Sequence, residues 1–480
     1  MNTNKIFAVF MTIALMFGTS CKKELTEDPK AFVSPENFFK TDADAVMAVN
    51  GAYFWLVGTH PQRLFQQELW SYLDEDCDAI FTWGNKGALN LTPINGGYAS
   101  TIWNGLYRGI QTSSQVIDRV SKSGSSPIKD RAVAEARFLR ALYYYYVTGV
   151  FRDGPLVDEV NYLDNGTAAK LPRTPADKIR DFMIKDLEAA IKVLPDSYEA
   201  ANKGRATKAA AQTLLTKVFL WKKNWTAALT TAQAVTGRVL LPEYKDVFTE
   251  ANEFNNESIF EIDFQKDNLN SYQHAFYSPQ KKVGVSPFSE KPWYGGYVPL
   301  NSFVDGFEAG DKRKDLEIAT GYMGKNFIPD PENGVSVWFG PKWWRLDAGE
   351  RNSGLNIIIF RYADVLLMEA EAANEAGDQA TAFTAINKVR ARAGLSALNG
   401  LTQELLRAAI MKERGIELCG EGHRKLDLVR WGLWLKTAKA AQAIQSKVRA
   451  DSYQAQYEYL PVPAVEVEKN PALAPQNQGY

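Results

Sequence analysis

The sequence predicts an all-α fold of tetratricopeptide-like helical repeats, interrupted by long irregular loops that form a ligand-binding face. Three observations predict it. Apolar residues recur at three- and four-residue steps along most of the chain, as in helices with one buried stripe. A paired pattern with small residues at the crossing occurs twice, the layout of stacked helical hairpins. Between Phe264 and Ile359 the periodicity fails, and Gly, Pro, Asn and aromatic residues take over.

At the N-terminus, Lys5 precedes an apolar run from Ile6 to Phe17 that ends in Gly18-Thr19-Ser20-Cys21. The run is too short to span a bilayer comfortably and small residues follow it, so residues 1–20 read as a cleaved lipoprotein signal. A cysteine directly after the small residues predicts acylation of Cys21. At about 0.8 kcal/mol per buried methylene, two acyl chains hold a soluble domain at a membrane surface. Residues 21–40, with Glu24, Glu27 and Asp28 soon after the cysteine, form the tether, and 41–480 one folded domain.

Asp42 to Leu56 and Trp103 to Val120 carry apolar residues at helical spacing. Pro127 stands at the start of a helix in which Ala134, Phe138, Ala141, Leu142 and Tyr145 recur until Gly154-Pro155 stops it. Pro172 and Pro175 open the next, closed by Pro195. From Ala206 to Gly237 two helices flank a turn at Lys223-Asn224, and from Arg361 to Gly394 two more flank Gly377-Asp378. Such hairpins cannot bury their apolar stripes alone, so they stack into a scaffold. An irregular stretch as long as Phe264 to Ile359 is usually functional, and a shorter one runs from Asp76 to Tyr98. The ligand site is expected in these two regions.

The 480 residues carry 55 basic and 56 acidic side chains, a net charge of −1, which gives no basic face for nucleic acid. With Cys21 acylated, Cys77 and Cys419 are expected as two unpaired, buried thiols. His60, His274 and His423 stand far apart, and no CxxC, phosphate loop, HExxH or GxSxG is present, so no metal, cofactor or catalytic residue is assigned. Glu413, Arg414, Glu417, Glu421, Arg424, Asp427 and Arg430 fall at three- and four-residue steps, which suits ion pairing along or between helices better than catalysis. The run Tyr143 to Tyr146 circles its helix and is expected to pack several neighbours.

Several segments together resemble the SusD (RagB/SusD) family of nutrient-binding outer-membrane lipoproteins. They include Ser34-Pro35-Glu36-Asn37-Phe38-Phe39 and Glu135-Ala136-Arg137-Phe138-Leu139-Arg140-Ala141. Arg361-Tyr362-Ala363-Asp364 and Asn387-Lys388-Val389-Arg390-Ala391-Arg392-Ala393-Gly394 follow. Glu413-Arg414-Gly415-Ile416-Glu417-Leu418, Asp427-Leu428-Val429-Arg430-Trp431-Gly432 and the closing Gln476-Asn477-Gln478-Gly479-Tyr480 complete the series, with Gln478 where the family commonly has Pro. The resemblance implies a lipid-anchored protein of the outer membrane, facing the cell exterior, docked as a lid over a TonB-dependent transporter of the SusC type. It captures a nutrient, commonly an oligosaccharide, and passes it on. Peptides are the alternative ligand, as in the RagB branch; a glycoside hydrolase and a protein-joining scaffold are readings of other classes.

Sugar rings present C–H faces that lie flat on Trp or Tyr, while their hydroxyls need amides or carboxylates. Seven of the twelve Trp fall in helical patterns and are assigned to the core or an interface; Trp83, Trp293, Trp338, Trp343 and Trp344 remain. Trp83 sits in the polar loop Phe81-Thr82-Trp83-Gly84-Asn85, and resembles the family's aromatic loop in position. Trp293-Tyr294-Gly295-Gly296-Tyr297 combines three rings with glycines that admit close approach to the backbone. Trp338 and Trp343 are candidates to complete the platform, with Asp76, Asp78 and Asn85 as hydroxyl partners.

Overall fold

A computed structural model describes residues 38–58, 64–82, 92–94, 98–162, 170–330, 334–349, 352–445 and 451–480. Cys21 and the signal, together with Trp83 and Asn85, lie outside these residues.

Local chemistry sets where the helices start. Helix α1 (Asp42–Val57) opens on a reciprocal cap: Asp44 N–H donates to the Thr41 hydroxyl at 3.1 Å, and Thr41 N–H to the Asp44 carboxylate at 2.8 Å. A short helix, α2 (Leu69–Asp74), leads to strand β1 (Ile80–Thr82). Helix α3 (Tyr98–Lys122) and helix α4 (Pro127–Val150), capped by Ser126 with Pro127 in its first turn, pack as a pair. Helix α5 (Ala176–Ile191) lies against α4, and α6 (Lys208–Trp221) against α5.

The first expected hairpin is α6 with α7 (Trp225–Gln233), and the second is α10 (Tyr362–Ala376) with α11 (Gln379–Arg392). Far apart in sequence, they are neighbours in space: α10 packs on α7 and then carries α12 (Gln403–Glu417). Packing runs from α3 to α4, α5, α6 and α7, passes over the irregular segment to α10, and continues to α11 and α12, the stacked arrangement that the repeats predict. Helices α13 (Arg424–Arg430) and α14 (Trp434–Gln445) complete the scaffold. Among the described residues, no helix is long and apolar enough to cross a membrane.

The irregular segment hangs from a two-stranded ribbon. Strand β2 (Ser258–Ile262) pairs antiparallel with β4 (Ile357–Arg361), Ile262 opposite Ile357, so the chain leaves and rejoins the scaffold at one place. Between them lie α8 (Gln273–Tyr277), β3 (Tyr297–Pro299) and α9 (Asn301–Val304).

The tyrosine run packs as expected. All four rings are buried; the Tyr143 hydroxyl donates to the Ala52 carbonyl at 2.6 Å and that of Tyr144 to the Val157 carbonyl at 3.0 Å. Cys77 and Cys419 are free and buried.

The charged motif of the C-terminal third ties elements together, and most of its pairs run between elements. Glu417 on α12 accepts from Arg361 at 2.6 Å, from Arg313 at 2.9 Å, and from Arg392. Arg361 also reaches Glu257 and Glu421, while Arg414 joins Asp364 to Asp427 and Arg430 joins Asp427 to Glu371. The three guanidinium groups around Glu417 hold its carboxyl well below the usual range against burial, which raises it.

Candidate ligand-binding site

The two irregular regions meet in one two-stranded ladder. Strand β1 pairs antiparallel with β3, Ile80 opposite Pro299 and Thr82 opposite Tyr297. The ladder puts Thr82, the last described residue before Trp83, beside the turn from Trp293 to Gly296.

Within that turn one ring is presented outward. Tyr294 is 47% exposed and stacks on Phe276 of α8, with centroids 5.4 Å apart and planes 17° from parallel. The Gly295 N–H donates to the Ala275 carbonyl at 2.9 Å, and the Gln280 amide donates to the carbonyls of Tyr294 (3.3 Å) and Gly295 (2.9 Å). Gly295 has φ +50°, and a Cβ there would lie 2.2 Å from Gln280 Cγ and 2.9 Å from the Gln280 backbone nitrogen. Only glycine fits both the backbone and that approach. The turn is therefore locked from three sides, and the ring it carries is held in place before any ligand arrives.

The other described rings of the expected platform are core, which corrects the sequence reading. Trp293 is buried, edge-on to His274 and tilted against Phe288, with the Lys291 ammonium 5.7 Å from its centroid. Tyr297 is buried on β3 and donates to Glu75 at 2.8 Å. Trp338 is 0% exposed, on a two-residue strand whose partner is Ala319. Trp343 stacks on Tyr277 at 4.2 Å, in a space that Gly420 leaves open: a Cβ at Gly420 would lie 2.4 Å from its ring. Trp344 is buried and donates to the Phe339 carbonyl at 3.0 Å. A large ring in a stretch without periodicity is as useful for filling an irregular core as for binding, and here packing takes it.

The two aspartates are also engaged. Asp76 is buried with φ +56°, accepts from the Tyr453 hydroxyl at 3.0 Å, and its carbonyl accepts from Trp434 Nε1 at 2.7 Å. It holds the start of the loop and does not face outward. Asp78 forms a bidentate pair with Arg424 at 2.7 and 2.6 Å, in the wall of a groove of about 520 Å³ that Phe303, Met411 and Trp431 also line. Among the described residues, no group of three or more His, Cys, Asp or Glu is placed to hold a metal.

Three participants escaped the sequence reading. Phe276 supplies the stacking face, Gln280 the clamp, and Tyr98 stands near Tyr294. Burial, with the Glu75 and Glu68 carboxylates nearby, pushes the Tyr98 hydroxyl well up, so it stays a neutral donor. Phe276 and Gln280 lie in the irregular stretch, where no period marks them out.

The comparisons with known proteins agree with this architecture. The model of the SusD family matches residues 342–480, and a second model, of starch-binding proteins associating with the outer membrane, matches residues 43–220. A SusD-like protein of Formosa agariphila is 29% identical, over 99% of this chain and 100% of its own length. Along nearly its whole length the chain is similar to proteins of the SusD family. Two solved structures share its fold. A SusD homologue from Bacteroides thetaiotaomicron superposes with a TM-score of 0.80 at 22% identity, covering 93% of this chain and 98% of its own. Surface glycan-binding protein A from Bacteroides fluxus gives 0.75 at 23% identity, covering 92% and 100%.

Proposed function

We infer that this chain is a cell-surface glycan-binding protein, anchored in the outer membrane through Cys21, that captures an oligosaccharide and hands it to a TonB-dependent transporter of the SusC type. The observation that carries the glycan assignment is the exposed Tyr294 ring, stacked on Phe276 and locked by Gln280 and Gly295. A rigid flat ring loses little entropy when a sugar face covers it, so more of the contact energy appears as affinity. The comparisons support the reading, since one solved structure of the same fold is a surface glycan-binding protein and one matching family is starch-binding. The charged residues of the C-terminal motif are committed to ion pairs, which favours capture without bond cleavage.

The test is calorimetric titration of a soluble form beginning at Lys22 against plant, host and microbial oligosaccharides plus a peptide mixture, with product analysis of every sample. Saturable binding of an uncleaved sugar, weakened roughly tenfold (about 1.4 kcal/mol) by Tyr294→Ala or Trp83→Ala, supports the reading. Binding of peptides alone refutes the glycan assignment, and cleavage refutes the capture mechanism. Mass spectrometry of the N-terminal peptide tests the anchor: a diacylated Cys21 is expected, and release of the Cys21→Ala variant into the medium.

A further inference from the structure

Away from the Tyr294 turn, a cleft of about 360 Å³ lies between the 454–459 turn, the C-terminal residues and Arg152. We propose that it is a second binding site, for the hydroxyl groups of a neutral sugar.

Buried charged side chains around Glu417 are bonded to one another. In the cleft the Arg152 guanidinium, the Glu458 carboxylate and the amides of Gln454, Gln456 and Gln478 make no side-chain hydrogen bond or close ion pair with any described residue. Neighbouring Arg173, by contrast, is held by the Pro475 carbonyl at 2.7 Å and by Asn477. Arg152 also stands in left-handed backbone, φ +68°, where an arginine is disfavoured relative to Gly or Asn. That conformation ends α4, as Lys223 ends α6, and sets the Arg152 side chain in the cleft wall, where its charge acts on the Glu458 carboxylate without a direct bond.

The mixture of groups selects the ligand. Amides both donate and accept, a guanidinium only donates and a carboxylate only accepts, so the set matches hydroxyls, which do both. An anion would face Glu458 and a cation Arg152. The half-buried Tyr459 lines the same cleft, and Gly479, φ +94°, keeps its wall thin: a Cβ there would lie 2.5 Å from Gln456 Cβ. The volume is within the roughly 300–1,000 Å³ range of small-molecule sites. The cleft is separate from the Tyr294 turn, with α2 and the residues after it between them. Tyr72 reaches the Glu458 carbonyl at 3.4 Å on one side, and Glu75 accepts from Tyr297 on the other.

The proposal extends the glycan-binding reading, and hydrogen exchange read by mass spectrometry separates the two. The soluble form is incubated with maltoheptaose, laminariheptaose, cellohexaose or trigalacturonate, as wild type and as Tyr294→Ala. A neutral probe is expected to slow exchange at least threefold in peptides covering 452–460 and 474–480 of both proteins. Arg152→Asn combined with Gln478→Ala should abolish that protection. Asn tolerates the left-handed backbone and Gln478 is exposed, so an unchanged thermal melt is expected and checks the fold. Protection confined to 292–297 refutes the second site and leaves the first. Protection confined to the cleft does the reverse, and none anywhere refutes both. Protection that survives the double substitution, or that only trigalacturonate gives, also overturns the proposal.

Discussion

Tyr294 and Trp343 belong to the same irregular segment, yet one ring is offered outward and the other closes the core. Tyr294→Ala is therefore expected to change unfolding free energy by no more than about 0.5 kcal/mol while weakening sugar binding. Trp343→Ala, which empties the space beside Tyr277 and Gly420, should cost about 3–5 kcal/mol in urea unfolding followed by circular dichroism. This divergence was not legible in the sequence. A ring on a helix declares its face by its spacing, but burial of Trp293, Trp338 and Trp343 is set by partners such as His274, Ala319 and Gly420, which no local pattern connects to them. The Trp293-to-Tyr297 stretch was legible as an outlier in composition, and it does carry the exposed ring, one residue from the tryptophan that drew attention. Glu417 presents the opposite case, a motif residue whose pairing was expected and whose three arginine partners give its worth. Glu417→Gln leaves those guanidinium groups short of a charge and should cost about 3–5 kcal/mol, read from the same urea transitions.

The two hairpins of the scaffold were legible because their turns and stripes follow helical rules. They also show one solution met by two residues. Each first helix ends, one residue in left-handed conformation turns the chain, and an Asn or Asp caps the second helix through its side chain. In α10–α11 the left-handed residue is Gly377, φ +87°, with nothing within 4 Å of where a Cβ would lie; in α6–α7 it is Lys223, φ +54°. Lys223→Gly should therefore stabilise by up to about 1 kcal/mol, and Gly377→Ala destabilise by about 1–2, since backbone preference alone changes at both sites. Urea midpoints of the two variants measure both. The ribbon of β2 and β4 escaped the sequence reading for a different reason: its partners stand far apart in the chain, and nothing local announces which strands will meet.

For the molecule as a whole, buried histidines give acid sensitivity. Burial, with the Lys217 ammonium adding to it, holds His423 down to about 4 from its ordinary 6.5, and burial does the same for His274. As pH falls from 6.5 towards 4 the unfolded chain takes up protons that the folded chain refuses, so this contribution to stability is lost on acidification. Burial raises the Asp74 and Glu253 carboxyls to about 7, with the opposite sign: the unfolded chain ionises first, and stability falls as pH rises from about 4 to 7. Comparing urea unfolding of the wild type with His423→Gln between pH 7 and 4 isolates the histidine term. The wild type should lose ground to the variant as pH falls, and a gap that does not change with pH would contradict the assignment.

Glu417 has a second consequence, for how this protein comes apart. Its arginine partners arrive from the irregular segment (Arg313), from the ribbon's return strand (Arg361) and from the last repeat hairpin (Arg392). Peeling the irregular segment from the scaffold would expose or strand a buried charge at that junction, so the segment between the ribbon strands is not a flap that opens on its own. Amides of the described residues there, despite having little regular structure, should exchange only through the same global opening as those of the helices, and a protease should find no early cut among them. A lid that works by opening and closing would then move as one rigid body, with the hinge outside the fold.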